Sequence, residues 1–328
     1  MTRLQLPDRP LRLAFFGTPD IASVVLERLL DDGSHPVVRV YCQPDRPKGR
    51  GKKLVAPPVK VLAESRGLPV EQPRKLKDGT VAAQLREDDI DLAVVVAYGR
   101  ILPVDLFEAP RFDTWNVHAS LLPKYRGASP IQHAILGGED ETGVTLMQLG
   151  EGLDEGPMLL ARRLPIDADD TAGRLTEKLA DLGARTLVEG LSLAQTEGLE
   201  IVPQNDDEAT FAPLIDKKDG ELDFTQPAAS LARRIRGFDP WPGTFVRTEA
   251  GPLKIIRAVA LAGSESQAAE RVFEPGQIVS REPLCMQTGE GQLEIRRLQA
   301  PGRKPIDTAD FLRGVGRKLS IGDRLQDC

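Results

Sequence analysis

Residues 115–127 of this 328-residue chain read Trp-Asn-Val-His-Ala-Ser-Leu-Leu-Pro-Lys-Tyr-Arg-Gly. They lie downstream of an apolar run, Leu92 to Tyr98, which predicts a buried strand of a parallel sheet. Asn116 and His118 are two positions apart, so in an extended strand they point to the same side of the sheet. An amide can donate a hydrogen bond to a developing oxyanion, and an imidazole can move a proton near neutral pH. The pair is therefore a candidate for chemistry at a carbonyl carbon.

A carboxylate completes the candidate site. Asp154 lies in the glycine-rich run from Gly150 to Pro157. Asn, His and Asp brought together suit acid–base chemistry at a carbonyl group. A simpler interpretation stands beside this one, because a lone histidine near a strand end is often structural and an aspartate between glycines is usually a turn residue. The motif stays a hypothesis until its structural context is known.

The N-terminal part of the chain predicts a βαβ unit. Leu11 to Phe16 and Val37 to Tyr41 have the composition of strands, and Ile21 to Leu30 has the pattern of an amphipathic helix capped by Thr18 or Asp20. Such a unit forms a parallel, Rossmann-like sheet. The first turn lacks the Gly-x-Gly-x-x-Gly fingerprint, which argues against a dinucleotide cofactor and an NAD-dependent enzyme.

The second part of the chain differs in character. A helical pattern from 171 to 197, interrupted at Gly183, ends the first part, and low apolar content follows it. Short apolar runs separated by glycine turns then predict a small OB-like β-barrel. We therefore expect an α/β domain over 1–204, a linker over 205–220 and a barrel domain over 221–328.

Composition excludes several classes of protein. The net charge is −6, which argues against a globally basic nucleic-acid binder, although residues 221–328 carry 16 basic against 14 acidic side chains. No apolar stretch is long enough to span a bilayer. Cys42, Cys285 and Cys328 have neither metal-ligand nor disulfide-framework spacing, so we expect a cytoplasmic protein.

A basic segment lies between the second predicted strand and the next helix. Five of the eight residues from 46 to 53 are Lys or Arg, broken by proline and glycine. This composition makes a poor helix and a poor strand, so it predicts an exposed flexible loop. Most charged loops are simply solvated, but Lys and Arg on a mobile loop can also follow a nucleic-acid backbone.

The ordered set of residues from 116 to 154 resembles the signature of the 10-formyltetrahydrofolate-dependent formyltransferases. That signature reads Asn-x-His-x-Ser-Leu-Leu-Pro, then Gly, Thr-Gly and an Asp-bearing loop, here ending with Gly127, Thr142-Gly143 and Asp154. The resemblance implies a formyl donor, 10-formyltetrahydrofolate, and no metal. It implies catalytic roles for Asn116, His118 and Asp154 and folate contacts at Ser120, Leu121, Leu122 and Pro123.

One branch of this family, the methionyl-tRNA formyltransferases, is similar over the whole chain. Its members have a basic loop similar in sequence to Gln43 to Leu54 and a second domain with Pro240-Trp241-Pro242. This resemblance implies that initiator methionyl-tRNA is the acceptor, and we expect a monomer. It places Arg126 toward the tRNA end, whereas the acidic stretch 203–208 argues against RNA contact there. The expected tRNA-binding residues are Arg46, Lys48, Arg50, Lys52 and Lys53.

Other proteins share the same three polar residues. Glycinamide ribonucleotide formyltransferases have a single domain without the basic loop, and formyltetrahydrofolate hydrolases use water as the acceptor. Sugar-nucleotide formyltransferases are the nearest alternative, because they also carry a C-terminal extension. A non-catalytic nucleic-acid-binding protein with an OB-like barrel is a further alternative, although an intact Asn116, His118 and Asp154 argue against it.

Overall fold

The apolar runs of the first half assemble into one seven-stranded sheet, and those of the second half into another sheet. The computed structural model describes residues 3–48, 51, 53–261 and 272–327. The chain divides into two units. One comprises 1–130, 141–165 and 176–213, and the other comprises 131–140, 166–175 and 214–328.

The elements up to residue 200 alternate between strands and helices, as expected for an α/β protein. In chain order they are β1 Arg3–Leu4, β2 Leu13–Gly17, α1 Asp20–Asp32, β3 Val37–Tyr41, β4 Arg46–Lys48, β5 Lys53–Val55, α2 Pro58–Ser65, β6 Val70–Glu71, α3 Thr80–Glu87, β7 Leu92–Val96, α4 Val104–Phe107, β8 Asp113–His118, α5 Pro130–Gly137, β9 Glu141–Gln148, β10 Met158–Pro165, α6 Ala172–Thr196 and β11 Leu199–Glu200.

The main sheet has the order β10-β9-β8-β7-β2-β3-β6. Five neighbouring strands, β8 to β6 in that order, run parallel, and β9 and β10 are antiparallel additions at one edge. Parallel strands are covered on both faces, which explains why β2 and β7 are buried throughout. The predicted Rossmann-like fold class is confirmed.

Alternating residues of the strands face two different helical layers. Ala14 and Phe16 of β2, with Ala93 and Val95 of β7, pack in one cluster with residues of α3 and α4. On α6, a Cβ added at Gly183 would lie 3.1 Å from Val117 and 3.8 Å from Val25 of α1, so α1 and α6 lie close together beside β8.

The long helix α6 is continuous, so the predicted interruption at Gly183 is wrong. The glycine instead permits the helix to approach β8, and the tertiary packing offsets the cost of about 1 kcal/mol that glycine brings to a helix interior. The predicted caps of α1 are also wrong. Its N-cap is Pro19, and the Thr18 hydroxyl donates to the Tyr98 carbonyl oxygen over 2.9 Å.

The second unit is built on an antiparallel sheet. Its elements are α7 Ala228–Gly237, β12 Thr244–Thr248, β13 Gly251–Leu261, β14 Ile278–Arg281, β15 Leu284–Gln287, β16 Gln292–Gln299, β17 Ile306–Asp307 and α8 Thr308–Arg313. The strand order is β12-β13-β16-β15-β14, with β17 on β16. Apolar residues of α7, α8 and the strands form one core, such as Leu231, Phe311 and Ile295. This is the expected small barrel-like domain.

Two smaller expectations concern cysteines and membranes. Cys42 and Cys285 are buried free thiols, and burial raises the pKa of both, whereas Cys328 lies outside the described residues. None of the helices in the described part of the chain is long and apolar enough to cross a membrane.

Candidate active site

The end of β8 and the loop between β9 and β10 bring three polar side chains together. Asn116 Nδ2 donates to Asp154 Oδ1 over 3.4 Å, and His118 Nδ1 lies 3.7 Å from Asp154 Oδ2. Asn116 and His118 are 8% and 6% exposed, so they face a largely desolvated space. The structure therefore brings together the three residues predicted from the sequence.

The proton on the His118 ring is placed by its second contact. His118 Nε2 lies 3.0 Å from the carbonyl oxygen of Tyr125. Because a carbonyl oxygen only accepts hydrogen bonds, this contact places a proton on Nε2. The nitrogen that can gain or lose a proton is then Nδ1, which faces Asp154.

The Asp154 carboxylate is held by a backbone donor. Its Oδ2 accepts a hydrogen bond from the Gly127 N–H over 2.9 Å. Gly127 has φ +120°, and an added Cβ would lie 2.8 Å from the carbonyl oxygen of Ala212, so no larger residue fits without displacing backbone. The glycine of the motif thus lets the chain turn back to reach Asp154.

The Ser120 to Pro123 corner is fixed from within. Ser120 is fully buried and its hydroxyl donates to the Lys124 carbonyl oxygen over 2.7 Å, while Thr145 Oγ1 donates to the Ser120 carbonyl oxygen over 2.7 Å. Leu122 is also buried, whereas Leu121 and Pro123 are partly exposed. Only these last two side chains are open to a neighbouring ligand.

Comparison with known proteins decides the family. Residues 11–191 match the family model described as "Formyl transferase", and residues 214–316 match "Formyl transferase, C-terminal domain". The chain belongs to the formyl transferase family. The predicted resemblance is confirmed, and the alternatives of an NAD-dependent enzyme and a non-catalytic nucleic-acid-binding protein are not.

Relatives at high identity extend over nearly the whole chain. A methionyl-tRNA formyltransferase of Chromohalobacter salexigens is 45% identical over 96% of this chain and 97% of its own length. That of Alcanivorax borkumensis is 46% identical over 97% and 96%. This formyl transferase therefore matches those relatives in both domains.

Solved structures at low identity show the same fold. An N-formyltransferase from Helicobacter canadensis, in complex with folinic acid and dTDP-3-aminofucose, has a TM-score of 0.60 at 20% identity and covers 86% of this chain and 97% of its own. HypX from Aquifex aeolicus, in complex with tetrahydrofolic acid, has a TM-score of 0.58 at 17% identity and covers 95% and 48%. Both are similar to this chain in fold.

A second loop of this formyl transferase lies at the carboxyl end of β7. Gln43 is buried, and its Nε2 donates to the carbonyl oxygens of Tyr98 (2.9 Å) and Gly99 (3.0 Å). Ala97, the residue before Tyr98, has φ +44°, an uncommon conformation for a non-glycine residue. The loop thus combines a constrained backbone with a side-chain clamp at the edge where α/β sheets bind ligands.

Aromatic rings lie beneath this loop. Phe16 and Tyr41 stack with ring centroids 4.4 Å apart, and Tyr98 meets Phe16 edge-on at 5.5 Å. Burial raises the pKa of Tyr98 to about 12 and raises that of Tyr41 further, so both phenols stay neutral near pH 7. The Tyr98–Gly99 loop is therefore supported by an apolar and uncharged layer.

The described ends of the basic segment are two short, exposed strands that pair as a hairpin. β4 pairs with β5 in the register Arg46↔Val55, Pro47↔Leu54 and Lys48↔Lys53, so the prediction of a poor strand is wrong. The paired strands satisfy each other's backbone groups locally, which composition does not report. Lys53 is exposed, the Lys48 side chain is not described, and Arg50 and Lys52 lie outside the described residues.

Arg46 and the root of the hairpin are tied to the rest of the unit. Arg46 Nη2 donates to Gln43 Oε1. Gln72 Nε2 donates to the Gln43 carbonyl oxygen and to Asp45 Oδ1, each over 2.8 Å, and Lys60 Nζ lies 3.2 Å from Asp45. The hydrogen bond from Gln72, with Lys60 beside it, lowers the pKa of Asp45. One predicted tRNA-binding residue, Arg46, thus has an intramolecular partner.

Arg126 does not face outward, and its position toward the tRNA end stays a prediction. Its side chain is 5% exposed; Nε donates to Gln204 Oε1 over 2.9 Å and Nη2 to Asp206 Oδ1 over 2.7 Å. The backbone around it pairs with 210–212, since Arg126 N donates to the Thr210 carbonyl oxygen and Ala212 N to the Arg126 carbonyl oxygen, both over 2.8 Å. The arginine is satisfied by a distant part of the chain.

Sequence reasoning missed Gln43 and Gln204. Each is a neutral polar residue in an irregular segment, with no spacing that connects it to Asn116 or His118. The only available signal was the acidic, polar composition of 203–208, which suggested a linker. Among the described residues no group of three His, Cys, Asp or Glu side chains is placed to hold a metal ion.

Proposed function

We propose that this formyl transferase transfers the formyl group of 10-formyltetrahydrofolate to the amino group of initiator methionyl-tRNA, giving N-formylmethionyl-tRNA. The observation that carries the proposal is the meeting of Asn116, His118 and Asp154 at the end of β8. The near-full-length relatives named methionyl-tRNA formyltransferase support the choice of acceptor.

Asn116 and His118 act at the formyl carbon. Attack by the methionyl amine forms a tetrahedral intermediate whose oxygen is negatively charged. Asn116 Nδ2 donates to this oxygen, and the low exposure of the site strengthens that interaction. The intermediate then collapses with cleavage of the bond between the formyl carbon and the folate nitrogen, so the amine loses a proton and the folate nitrogen gains one. His118 Nδ1 handles one of these transfers, because Nε2 is engaged with the Tyr125 carbonyl oxygen.

Asp154 orients the imidazole and stabilises its charged form. Its Oδ2 faces His118 Nδ1 and is fixed by the Gly127 N–H, while its Oδ1 accepts from Asn116. One side chain thus aligns both of the groups that act on the formyl carbon.

The formyl donor binds across the carboxyl ends of the neighbouring strands β7 and β8. Leu121 and Pro123 present partly exposed apolar surface, and Ser120 and Leu122 support them from the interior. The Tyr98–Gly99 loop offers backbone groups to the flat ring of the folate. Leu121 and Pro123 therefore contact the folate, and Ser120 and Leu122 hold these two residues in place.

The tRNA is bound by the basic hairpin and the second domain. Lys48, Arg50, Lys52 and Lys53 supply phosphate contacts, and Arg46 anchors the hairpin through Gln43.

We propose that the α/β domain spans 1–204, the linker 205–220 and the barrel domain 221–328. We further propose that the protein acts in the cytoplasm, where translation initiates, and as a monomer.

A product assay with three acceptors tests this function. The purified protein is incubated with 10-formyltetrahydrofolate and either charged initiator methionyl-tRNA, an amino-sugar nucleotide or water alone, and the products are separated by chromatography. We expect N-formylmethionine on the tRNA, and its loss in His118→Ala and Asp154→Ala. Sugar formylation or formate release without tRNA product would contradict the proposed acceptor.

A further inference from the structure

The backbone at Asp154 has a conformation that needs support. Its φ is +49°, in the left-handed region that residues other than glycine adopt uncommonly. From this backbone position the carboxylate of Asp154 reaches His118 and the Gly127 N–H. Some neighbouring group must therefore hold the loop in place.

Gln204 supplies that support from outside the loop. Its Nε2 donates one hydrogen bond to the Asp154 carbonyl oxygen over 2.8 Å and another to the Gly156 carbonyl oxygen over 2.7 Å. Its Oε1 accepts from Arg126 Nε over 2.9 Å. Both amide hydrogens and the amide oxygen are thus used, so the side chain has one defined orientation.

The contacts form a closed ring. Gln204 binds Arg126, the next residue Gly127 donates to the Asp154 carboxylate, and the Asp154 carbonyl oxygen accepts from Gln204. The segment that carries Gln204 is itself fixed, since Met158 and Val202 exchange backbone hydrogen bonds of 2.8 and 2.9 Å. The ring therefore connects the turn at Arg126 and Gly127 with the Asp154 loop through the side chain of Gln204.

We propose that Gln204 is a positioning residue for catalysis, which holds the Asp154 loop in its strained conformation and so keeps the carboxylate against His118. The inference rests on the proposed role of Asp154 in formyl transfer. It places the last residue of the predicted α/β domain, directly before the predicted linker, within the catalytic machinery. Arg126 acts in the same ring, because it fixes the amide oxygen of Gln204.

Gln195 provides a matched control. Its Nε2 also donates to two backbone carbonyl oxygens, those of Pro7 and Arg9, each over 2.7 Å. Like Gln204 it is partly buried, but it joins the end of α6 to the chain before β2. Gln195→Ala removes the same kind of clamp without touching the active site.

The test measures kcat and KM for formyl transfer to methionyl-tRNA in Gln204→Ala and Gln195→Ala. Because displacement of a catalytic group by about 1 Å can cost on the order of 100-fold, we expect kcat to fall about 10- to 100-fold in Gln204→Ala. Both KM values should stay within about twofold, and Gln195→Ala should keep its kcat. Gln204→Glu is the second variant, should Gln204→Ala fail to fold. It keeps an acceptor for Arg126 but cannot donate to two carbonyl groups, so the same loss is expected.

A double-mutant cycle separates positioning from general damage. In an Asp154→Ala background, single-turnover rates should change by less than about twofold on adding Gln204→Ala, because the carboxylate to be positioned is gone. An equal loss in both backgrounds, or a Gln204→Ala kcat equal to that of Gln195→Ala, would overturn the inference alone. Full activity of Asp154→Ala would overturn the proposed catalytic role together with it.

Discussion

Two glutamines make the same set of contacts at two different loops. Gln204 donates to the Asp154 and Gly156 carbonyl oxygens and accepts from Arg126. Gln43 donates to the Tyr98 and Gly99 carbonyl oxygens and accepts from Arg46. The arrangement of one amide, two carbonyl oxygens and one guanidinium is shared.

The loops differ in what they present. The Gln204 loop carries Asp154, whose carboxylate faces His118, whereas the Gln43 loop presents backbone groups above an aromatic layer. We therefore expect the loss of Gln204 to lower kcat and the loss of Gln43 to raise the KM for the formyl donor. The effect of a positioning residue therefore depends on the group that its loop carries.

The largest expected effect tests the catalytic side of this comparison. Asn116→Ala removes the donor to the developing oxyanion, so we expect kcat to fall about 100- to 1,000-fold. The KM for each substrate should change little, because the interaction is stronger in the transition state than in the ground state. Steady-state kinetics with methionyl-tRNA measures this. A raised KM with unchanged kcat would mean that Asn116 binds substrate instead.

A stability measurement shows how clamps differ from structural anchors. Asp91 has a fully buried side chain and binds Arg9 through two hydrogen bonds of 2.7 and 2.9 Å. The Arg9 side chain is 43% exposed, so solvent screens its charge, and Asp91→Asn should lower the free energy of unfolding by about 2 kcal/mol near pH 7. The glutamine clamps should each contribute about 1 kcal/mol. Urea unfolding of Asp91→Asn, Gln43→Ala and Gln204→Ala provides the comparison.

The Asp91 effect should depend on pH in one direction. The hydrogen bond from Arg9 lowers the pKa of Asp91 below its usual range. A carboxyl whose folded pKa is lowered contributes stability that is present above the unfolded value of about 4 and is lost as pH falls through the folded value. The difference between the wild type and Asp91→Asn should therefore shrink below about pH 4. A difference that grows on acidification would contradict the ion pair.

The smallest effect concerns the second clamp. Gln43→Ala removes two hydrogen bonds from the Tyr98–Gly99 loop, and we expect the KM for 10-formyltetrahydrofolate to rise about tenfold, which equals about 1.4 kcal/mol. Its kcat should stay within about twofold of the wild type. Donor titration at saturating methionyl-tRNA measures both quantities. A lower kcat with an unchanged KM would erase the distinction between the two loops.

The sequence predicts the site wherever its residues lie close together in the chain. The positions from Asn116 to Gly127 share one strand end and its following turn, so strand periodicity places Asn116 and His118 on one side. Asp154 is 27 to 38 positions further along the chain, and its role is indicated by the family signature. Gln204 lies 50 positions beyond Asp154, and it reaches that loop only because Val202 pairs with Met158. Local composition carries no information about such pairing.

Two other residues have contacts that local composition does not indicate. The family resemblance places Arg126 toward the tRNA end, yet its side chain is buried and donates to Gln204 and Asp206. Gly183 suggested a break in α6, but its missing side chain serves close packing on Val117. At Gly183 tertiary contacts override a local preference that is correct on average.

The most direct test of the central claim is the single-turnover rate of formyl transfer to initiator methionyl-tRNA in Asp154→Asn. Asparagine keeps the size of the side chain and tolerates the positive φ, so the change removes the charge beside His118 with little effect on the backbone. We predict a fall of at least about 100-fold with saturating substrates and an unchanged fold by circular dichroism. A rate within about twofold of the wild type would contradict the account.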